Sequence, residues 1–257
     1  MAQGRPNVSD PGRIIAHRGA SRVAPENTLS AFREAERQGV FWVEFDVSLL
    51  GDGTPVVHHD DTLDRCTSGT GALTAINARD LPGIEAGVLH EDRFPAEPLP
   101  TLHQALDLLG EMNFYANLEM KTHDGDPAQL AGIVAEALRA RPWTGHRIIT
   151  SSFELPTLAA FRTEMPEAPL AVLYEVPPED WRARLTELGA AALHIHYTQI
   201  SQSLLVEAAS FGFDVRVYTI NRPELMDHFR DHGLTSVITD HPPLFLDLPD
   251  WAAWSET

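Results

Sequence analysis

The 257-residue sequence has one cysteine, Cys66, so no intrachain disulfide can form. Cations are scarce: 19 Lys+Arg stand against 37 Asp+Glu, a formal net charge of −18. A surface of that sign repels nucleic-acid backbones and anionic membrane surfaces. A small anionic substrate stays compatible with it, because a bound metal or a few cations invert the sign locally. No stretch approaches the ~18 uninterrupted apolar residues of a membrane span. Met1–Pro11 carries no basic-then-apolar leader pattern. These absences lead us to expect a cytoplasmic protein with no nucleic-acid partner and no stable membrane association. Hydrophobic residues make up 43% and charged residues 22%, which excludes disorder, collagen and coiled coil for the chain as a whole.

Eight short apolar runs recur along the chain: Arg13–His17, Trp42–Val47, Phe114–Glu119, Arg147–Thr150, Leu170–Tyr174, Ala192–His196, Val215–Ile220 and Ser236–Asp240. Helical patterns separate them at Thr28–Gln38, Leu102–Leu109, Pro127–Ala140, Glu154–Thr163, Glu179–Leu188, Ser201–Ser210 and Pro223–His232. Several open on Ser, Thr, Asp or Asn, as helix starts do. Strand–helix alternation implies parallel pairing, and eight such units predict an α/β fold, a TIM (β/α)8 barrel. One segment breaks the rhythm. Gly51-Asp52-Gly53 signals a turn, and Pro55–His59 follows the second strand too closely for a crossover helix. It is expected to return antiparallel. The loop-rich stretch of about 51–100 then reads as a small insertion after the second strand, within a single domain spanning 12–248. An insertion of that length is more often functional than idle.

Charged residues gather at one end of the first three barrel strands: His17 and Arg18, Glu44 and Asp46, Glu119 and Lys121. In a barrel all C-terminal strand ends share one face, where catalytic sites lie. Glu44 and Asp46 are two apart on a strand and so point to the same side. Three carboxylates from neighbouring strands repel unless a cation relieves them, and all-oxygen ligation suits Mg2+, Ca2+ or Mn2+ rather than Zn2+. The same residues also fit interior ion pairs, Glu44 with Arg18 and Glu119 with Lys121, and the two readings are compatible. Of twelve histidines, His17 and His59 are the acid–base candidates, with Asp60 placed to orient His59. His58 and His59 alternate, so only one should face the cleft. His194 and His196 share a face of the sixth strand and read as barrel interior or rim. His90, His103, His123, His146, His228 and His232 carry no signal.

These residues fall into motifs that resemble the glycerophosphodiester phosphodiesterases. Ile15-Ala16-His17-Arg18-Gly19 with Pro25-Glu26-Asn27-Thr28 is similar to the family's opening motif, and Glu44-Phe45-Asp46-Val47 to its second. Val56–Asp60 with Leu63–Thr67, then Leu118–Lys121, Val217–Asn221 and Ile238–Pro242, follow in family order. The resemblance spans about 14–242 and is strongest to short bacterial cytosolic members. It implies a TIM barrel and divalent-cation-dependent hydrolysis of small-molecule glycerophosphodiesters to glycerol 3-phosphate and an alcohol, within lipid and glycerol metabolism. Carried over by position, His17 and His59 are the catalytic pair, Glu44, Asp46 and Glu119 the metal ligands, and Arg18 and Lys121 the phosphate-binding cations. Tyr218 stands where many members have Trp and is assigned to substrate binding. Cys66, where the pattern often has Thr, reads as a buried small side chain. Attack by the glycerol C2 hydroxyl, giving a cyclic phosphate, and direct attack by water both stay open. So do the alcohol group and a monomer or homodimer. The alternative is a phospholipase-type or lysophospholipase D-type enzyme acting on a lipid.

Overall fold

A computed structural model describes residues 13–87 and 93–251. His90, the chain's first eleven residues and position 12 lie outside the described residues. In chain order the first half contains β1 (Ile14–His17), α1 (Leu29–Arg37), β2 (Trp42–Leu49), β3 (Pro55–Val57), β4 (Glu85–Ala86), β5 (Glu97–Pro98), α2 (Leu102–Glu111) and β6 (Tyr115–Met120). The second half contains α3 (Pro127–Arg139), β7 (Ile148–Ser152), α4 (Leu155–Glu164), β8 (Leu170–Tyr174), α5 (Trp181–Leu188), β9 (Ala192–His196), α6 (Gln202–Ser210), β10 (Asp214–Tyr218), β11 (Ser236–Thr239) and α7 (Pro243–Leu246).

Eight parallel strands close a ring in the order β1-β2-β6-β7-β8-β9-β10-β11, and β11 returns to β1 with Ile15 opposite Ile238. This is the expected TIM barrel. β3 lies outside the ring and pairs antiparallel with the far end of β2, Val47 opposite Val57, as the turn at Gly51–Gly53 requires. The helices start where the sequence supplies caps. Thr28 accepts from the amide of Ala31, Asp126 from Ala128 and Ser201 from Leu204, while Thr101 and Gln104 form a reciprocal capping box. Each helix then buries an apolar stripe on the sheet, such as Ala31, Phe32 and Ala35 of α1. The insertion has a small core of its own, built from Leu50, Val56, Leu63, Leu73, Leu81, Ile84, Ala86 and Leu99. That core fixes it as a rigid flap on the barrel rather than a loose loop.

Low in the barrel, Trp42 stacks on Tyr115 with ring centroids 5.5 Å apart, and the Arg216 guanidinium lies 4.8 Å from the Trp42 ring. His194 is fully buried beside Arg216, and burial holds it well below the usual imidazole range. His196 sits half-buried at the rim, bonded to Thr198. Both match the packing role expected of them. One helix does not. Pro223–His232 folds as two 3-10 segments, Pro223–Leu225 and Asp227–His232. Pro223 and Met226 are buried and Phe229 packs on the core, a spacing of three residues that suits the 3-10 turn rather than an α-helix. The sequence reading also missed α7, a four-residue helix anchored by buried Phe245.

Candidate active site

The C-terminal ends of β1, β2 and β6 meet in one cleft. Register alone brings the charges together: His17 lies opposite Glu44, and Asp46 opposite Glu119. After β1 the chain turns sharply. Arg18 and Asn27 take the left-handed conformation (φ 54° and 57°). Gly19 does too (φ 79°), and a Cβ there would lie 2.7 Å from the Ala31 Cβ. The turn therefore needs glycine both for its backbone and for the close approach of α1. It throws the Arg18 side chain back over β2.

Glu44, Asp46 and Glu119 are buried, and each offers an oxygen within 4.8 Å of the others. Asp46 is gripped from several sides. Asn27 donates to its Oδ2 at 2.9 Å and accepts from its backbone amide at 3.2 Å. Arg18 Nε lies 3.2 Å from Oδ2, and Lys121 Nζ 3.5 Å from Oδ1. Lys121, the only lysine in the chain, also pairs with Glu119. The expected pairing of Glu119 with Lys121 is present. The pairing of Glu44 with the Arg18 guanidinium is not: the Arg18 backbone amide donates to Glu44 at 3.1 Å, and the guanidinium goes to Asp46 and Glu26. The positive-φ turn explains this, because it presents the amide to Glu44 and carries the side chain past it.

Electrostatics at this cluster are divided. Burial pushes the Glu44 carboxyl well above its usual range, and the charges of Asp46 and Glu119 add to the effect. Burial also raises Glu119, to about 7, against the pull of Lys121. Asp46 is buried too, but Lys121, Arg18 and His59 outweigh that and hold it below the ordinary range. One ionised carboxylate and two reluctant ones share a small volume, and Glu44 Oε1 is buried with no hydrogen-bond partner among the described residues. This donor set fits a hard divalent cation: it is all oxygen, and a dipositive charge would hold all three groups ionised.

Both candidate histidines are tied through Nδ1 to an aspartate. His17 Nδ1 lies 2.6 Å from Asp240 Oδ1, and His59 Nδ1 lies 2.6 Å from Asp60 Oδ1. His17 Nε2 is 3.8 Å from Glu44. His59 comes from the insertion, where β3 ends, and its imidazole is lowered first by burial and then by Arg18 and Lys121. His58, by contrast, is buried, with Nε2 on the carbonyl of Thr62 at 2.8 Å, so it anchors the insertion. Asp240 is itself held by Ser21 and by Asn221 Nδ2 at 2.7 Å. Burial alone would raise it, but the hydrogen bond and charge of His17 together with the hydrogen bonds from Asn221 and Ser21 keep it down at about 2.

Tyr218 closes the other side. Its ring meets Phe153 edge-on at 5.9 Å and His196 at 6.1 Å, and Lys121 Nζ lies 5.3 Å from the Phe153 ring centre. An aromatic wall thus stands beside the cation. Sequence reasoning missed Phe153, whose only signal is its place directly after β7, and gave no role to Glu26, Asn27, Arg65, Asn221 or Asp240. Buried Cys66 is a protonated thiol, pushed up to about 11 by burial.

Comparison with known proteins fits this arrangement. The glycerophosphoryl diester phosphodiesterase family model matches residues 17–244. A glycerophosphodiester phosphodiesterase of Caldanaerobacter subterraneus subsp. tengcongensis is 32% identical over 238 residues, covering 91% of this chain and 96% of the relative. Among solved structures, an Oleispira antarctica phosphodiesterase in complex with the product sn-glycerol-3-phosphate superposes with a TM-score of 0.85 at 33% identity, over 90% of this chain and 93% of that one. A glycerophosphodiester phosphodiesterase from Agrobacterium tumefaciens superposes with a TM-score of 0.77 at 27% identity, over 92% and 100% of the two chains. The carboxylate cluster and both His–Asp pairs lie within the matched residues, and the chain belongs to the glycerophosphoryl diester phosphodiesterase family as an enzyme of that family.

Proposed function

We propose that this enzyme hydrolyses small glycerophosphodiesters to glycerol 3-phosphate and an alcohol, with His17 and His59 as the acid–base pair. The observation that carries the reading is the meeting of two His–Asp pairs with three carboxylates and two fixed cations at one barrel mouth. The Oleispira relative's product, sn-glycerol-3-phosphate, is the product we assign here.

Glu44, Asp46 and Glu119 would hold a divalent cation, which when bound supplies Lewis-acid charge to the phosphoryl oxygens. Arg18 and Lys121 bind the non-bridging oxygens and neutralise charge as it grows there. Neither cation can swing away, because Asp46 grips both. Lys121 stays charged at neutral pH: Asp46 and Glu119 outweigh the effect of burial. Asp240 and Asp60 fix the ring orientation of the two histidines through Nδ1 and leave Nε2 for the substrate. One Nε2 removes the proton of the attacking oxygen, and the other protonates the leaving alkoxide, whose pKa is otherwise too high for it to depart. Tyr218 and Phe153 offer an apolar surface to the carbon face of the glycerol.

The test is glycerol 3-phosphate release from a panel of glycerophosphodiesters with Mg2+, Ca2+ or Mn2+, alongside the His17→Ala protein. Release that disappears in the variant supports the assignment and ranks the alcohol groups. Equal release by His17→Ala and wild type would remove His17 from the mechanism.

A further inference from the structure

The two candidate histidines arrive on different bodies. His17 ends a barrel strand, whereas His59 stands on the insertion, beyond the antiparallel return. Acid–base catalysis on one phosphodiester needs both placed to within a fraction of an ångström, so the insertion has to be locked to the barrel at this point.

Arg65 lies at the joint. Its guanidinium meets Glu26 with two bonds, Nη1 to Oε2 and Nη2 to Oε1, both 2.7 Å. It meets Asp60 with two more, Nε to Oδ2 at 2.6 Å and Nη2 to Oδ1 at 3.1 Å. Glu26 continues to Arg18 at 2.8 Å, and Asp60 to His59 at 2.6 Å. The chain of contacts therefore runs from a phosphate-facing cation, through Arg65, to an imidazole on the insertion. Isolated exposed ion pairs contribute little, but paired bidentate forks joined in a network are the exception. The two ends are not equally dependent on it. Arg18 is held a second time by Asp46. Among the described residues, the His59 ring has one hydrogen bond, the one to Asp60.

We propose that Arg65 is a positioning residue: it clamps Asp60 of the insertion to Glu26 of the barrel and so sets the His59 imidazole against the phosphodiester. This rests on the acid–base role given to His59 above. Losing a surface ion pair that merely steadies the insertion would lower thermal stability and leave the chemical step alone. Losing a clamp lowers kcat more than it raises KM, since phosphate binding keeps its second anchor through Asp46.

The experiment is steady-state hydrolysis of glycerophosphoethanolamine with divalent cation by wild type, Arg65→Ala, Arg65→Lys and the double variant His59→Ala/Arg65→Ala. Folding is checked by circular dichroism. Arg65→Ala should lose about 10²-fold in kcat, with KM changed by less than about threefold. The Arg65 side chain is 43% exposed, so solution guanidinium can reach its place. Millimolar guanidinium chloride should restore part of the Arg65→Ala rate, and equal sodium chloride should not. Arg65→Lys should stay slow, because an ammonium keeps the charge without the fork. In a His59→Ala background, losing Arg65 should cost less than about twofold more. If Arg65→Ala does not fold, Arg65→Gln replaces it; its amide can donate to one carboxylate at a time. An unchanged kcat overturns the proposal. So does a loss that guanidinium leaves untouched and that is equally large without His59. Absence of wild-type turnover on every diester would overturn the functional reading, and the clamp with it.

Discussion

His17 and His59 each give up Nδ1 to an aspartate, so each has Nε2 left for chemistry. His17→Ala and His59→Ala should each lower kcat by ~10²–10⁴-fold, the span for positioned acid–base groups. A full-rate variant in glycerophosphodiester turnover would contradict the role at that position. His58→Ala is the contrast. His58 is buried and holds the Thr62 carbonyl, so its removal should cost about 1–3 kcal/mol of stability, read as a lower Tm, with kcat falling far less than for His59→Ala. Lys121 offers another handle, because the chain has no second lysine. Acylating it removes the ammonium that pairs with Asp46 and Glu119. Acylation should inactivate the enzyme, and glycerol 3-phosphate should protect against it. Retained activity after modification mapped to Lys121 by mass spectrometry would exclude this residue from phosphate binding. What sequence showed at this scale followed from strand periodicity: Glu44/Asp46 and Glu119/Lys121 are two apart and fall on one face. What it hid were partners far along the chain. Asp240 is 223 positions from His17, and Arg65 is 39 from Glu26; only the closed ring and the folded insertion bring them together.

The sharp turn between β1 and α1 is where one element sets the geometry of the site. It places Arg18 and Asn27 in left-handed conformations and packs Gly19 against Ala31. Gly19→Ala combines an unfavourable φ with a clash at 2.7 Å, so it should destabilise by about 1–3 kcal/mol or force the turn to shift. Thermal unfolding together with KM would reveal it: a shifted turn misplaces Arg18 and weakens substrate binding. Wild-type Tm and KM in this variant would contradict the strain argument. The elements themselves were largely legible, because parallel barrel strands read as apolar runs and the capped helices announce their starts. Pro223–His232 misled because its buried contacts, Pro223, Met226 and Phe229, recur every three residues, a spacing that suits 3-10 turns rather than an α-helical stripe. The short α7 carries too few residues for a periodic signal.

Across the whole molecule, a chain with a net charge of −18 gathers Arg18 and Lys121 at one barrel mouth beside the clustered carboxylates of Glu44, Asp46 and Glu119. The cation-free protein bears a cost there that depends on pH. In the folded state Glu119 stays protonated up to about 7, whereas in the unfolded chain it ionises near 4.5. Its folded-state pKa is raised, so stability is lost as pH climbs through that window. Glu44 shifts in the same direction. A divalent cation favours the ionised carboxylates and reverses the trend. The gain in Tm on adding Mg2+, Ca2+ or Mn2+ should therefore grow from pH 5 to pH 8, as an order-of-magnitude window from that linkage. A gain that shrinks or stays flat over this range would mean that the cation binds elsewhere.

Turnover under chelation reads the need for a cation at the three carboxylates. Glycerol 3-phosphate release would be followed in excess chelator and again after a divalent cation is restored, with Asp46→Asn in parallel. Activity should disappear in chelator, return on restoration, and stay absent in Asp46→Asn. Undiminished turnover in excess chelator, or full activity in Asp46→Asn, would contradict that need.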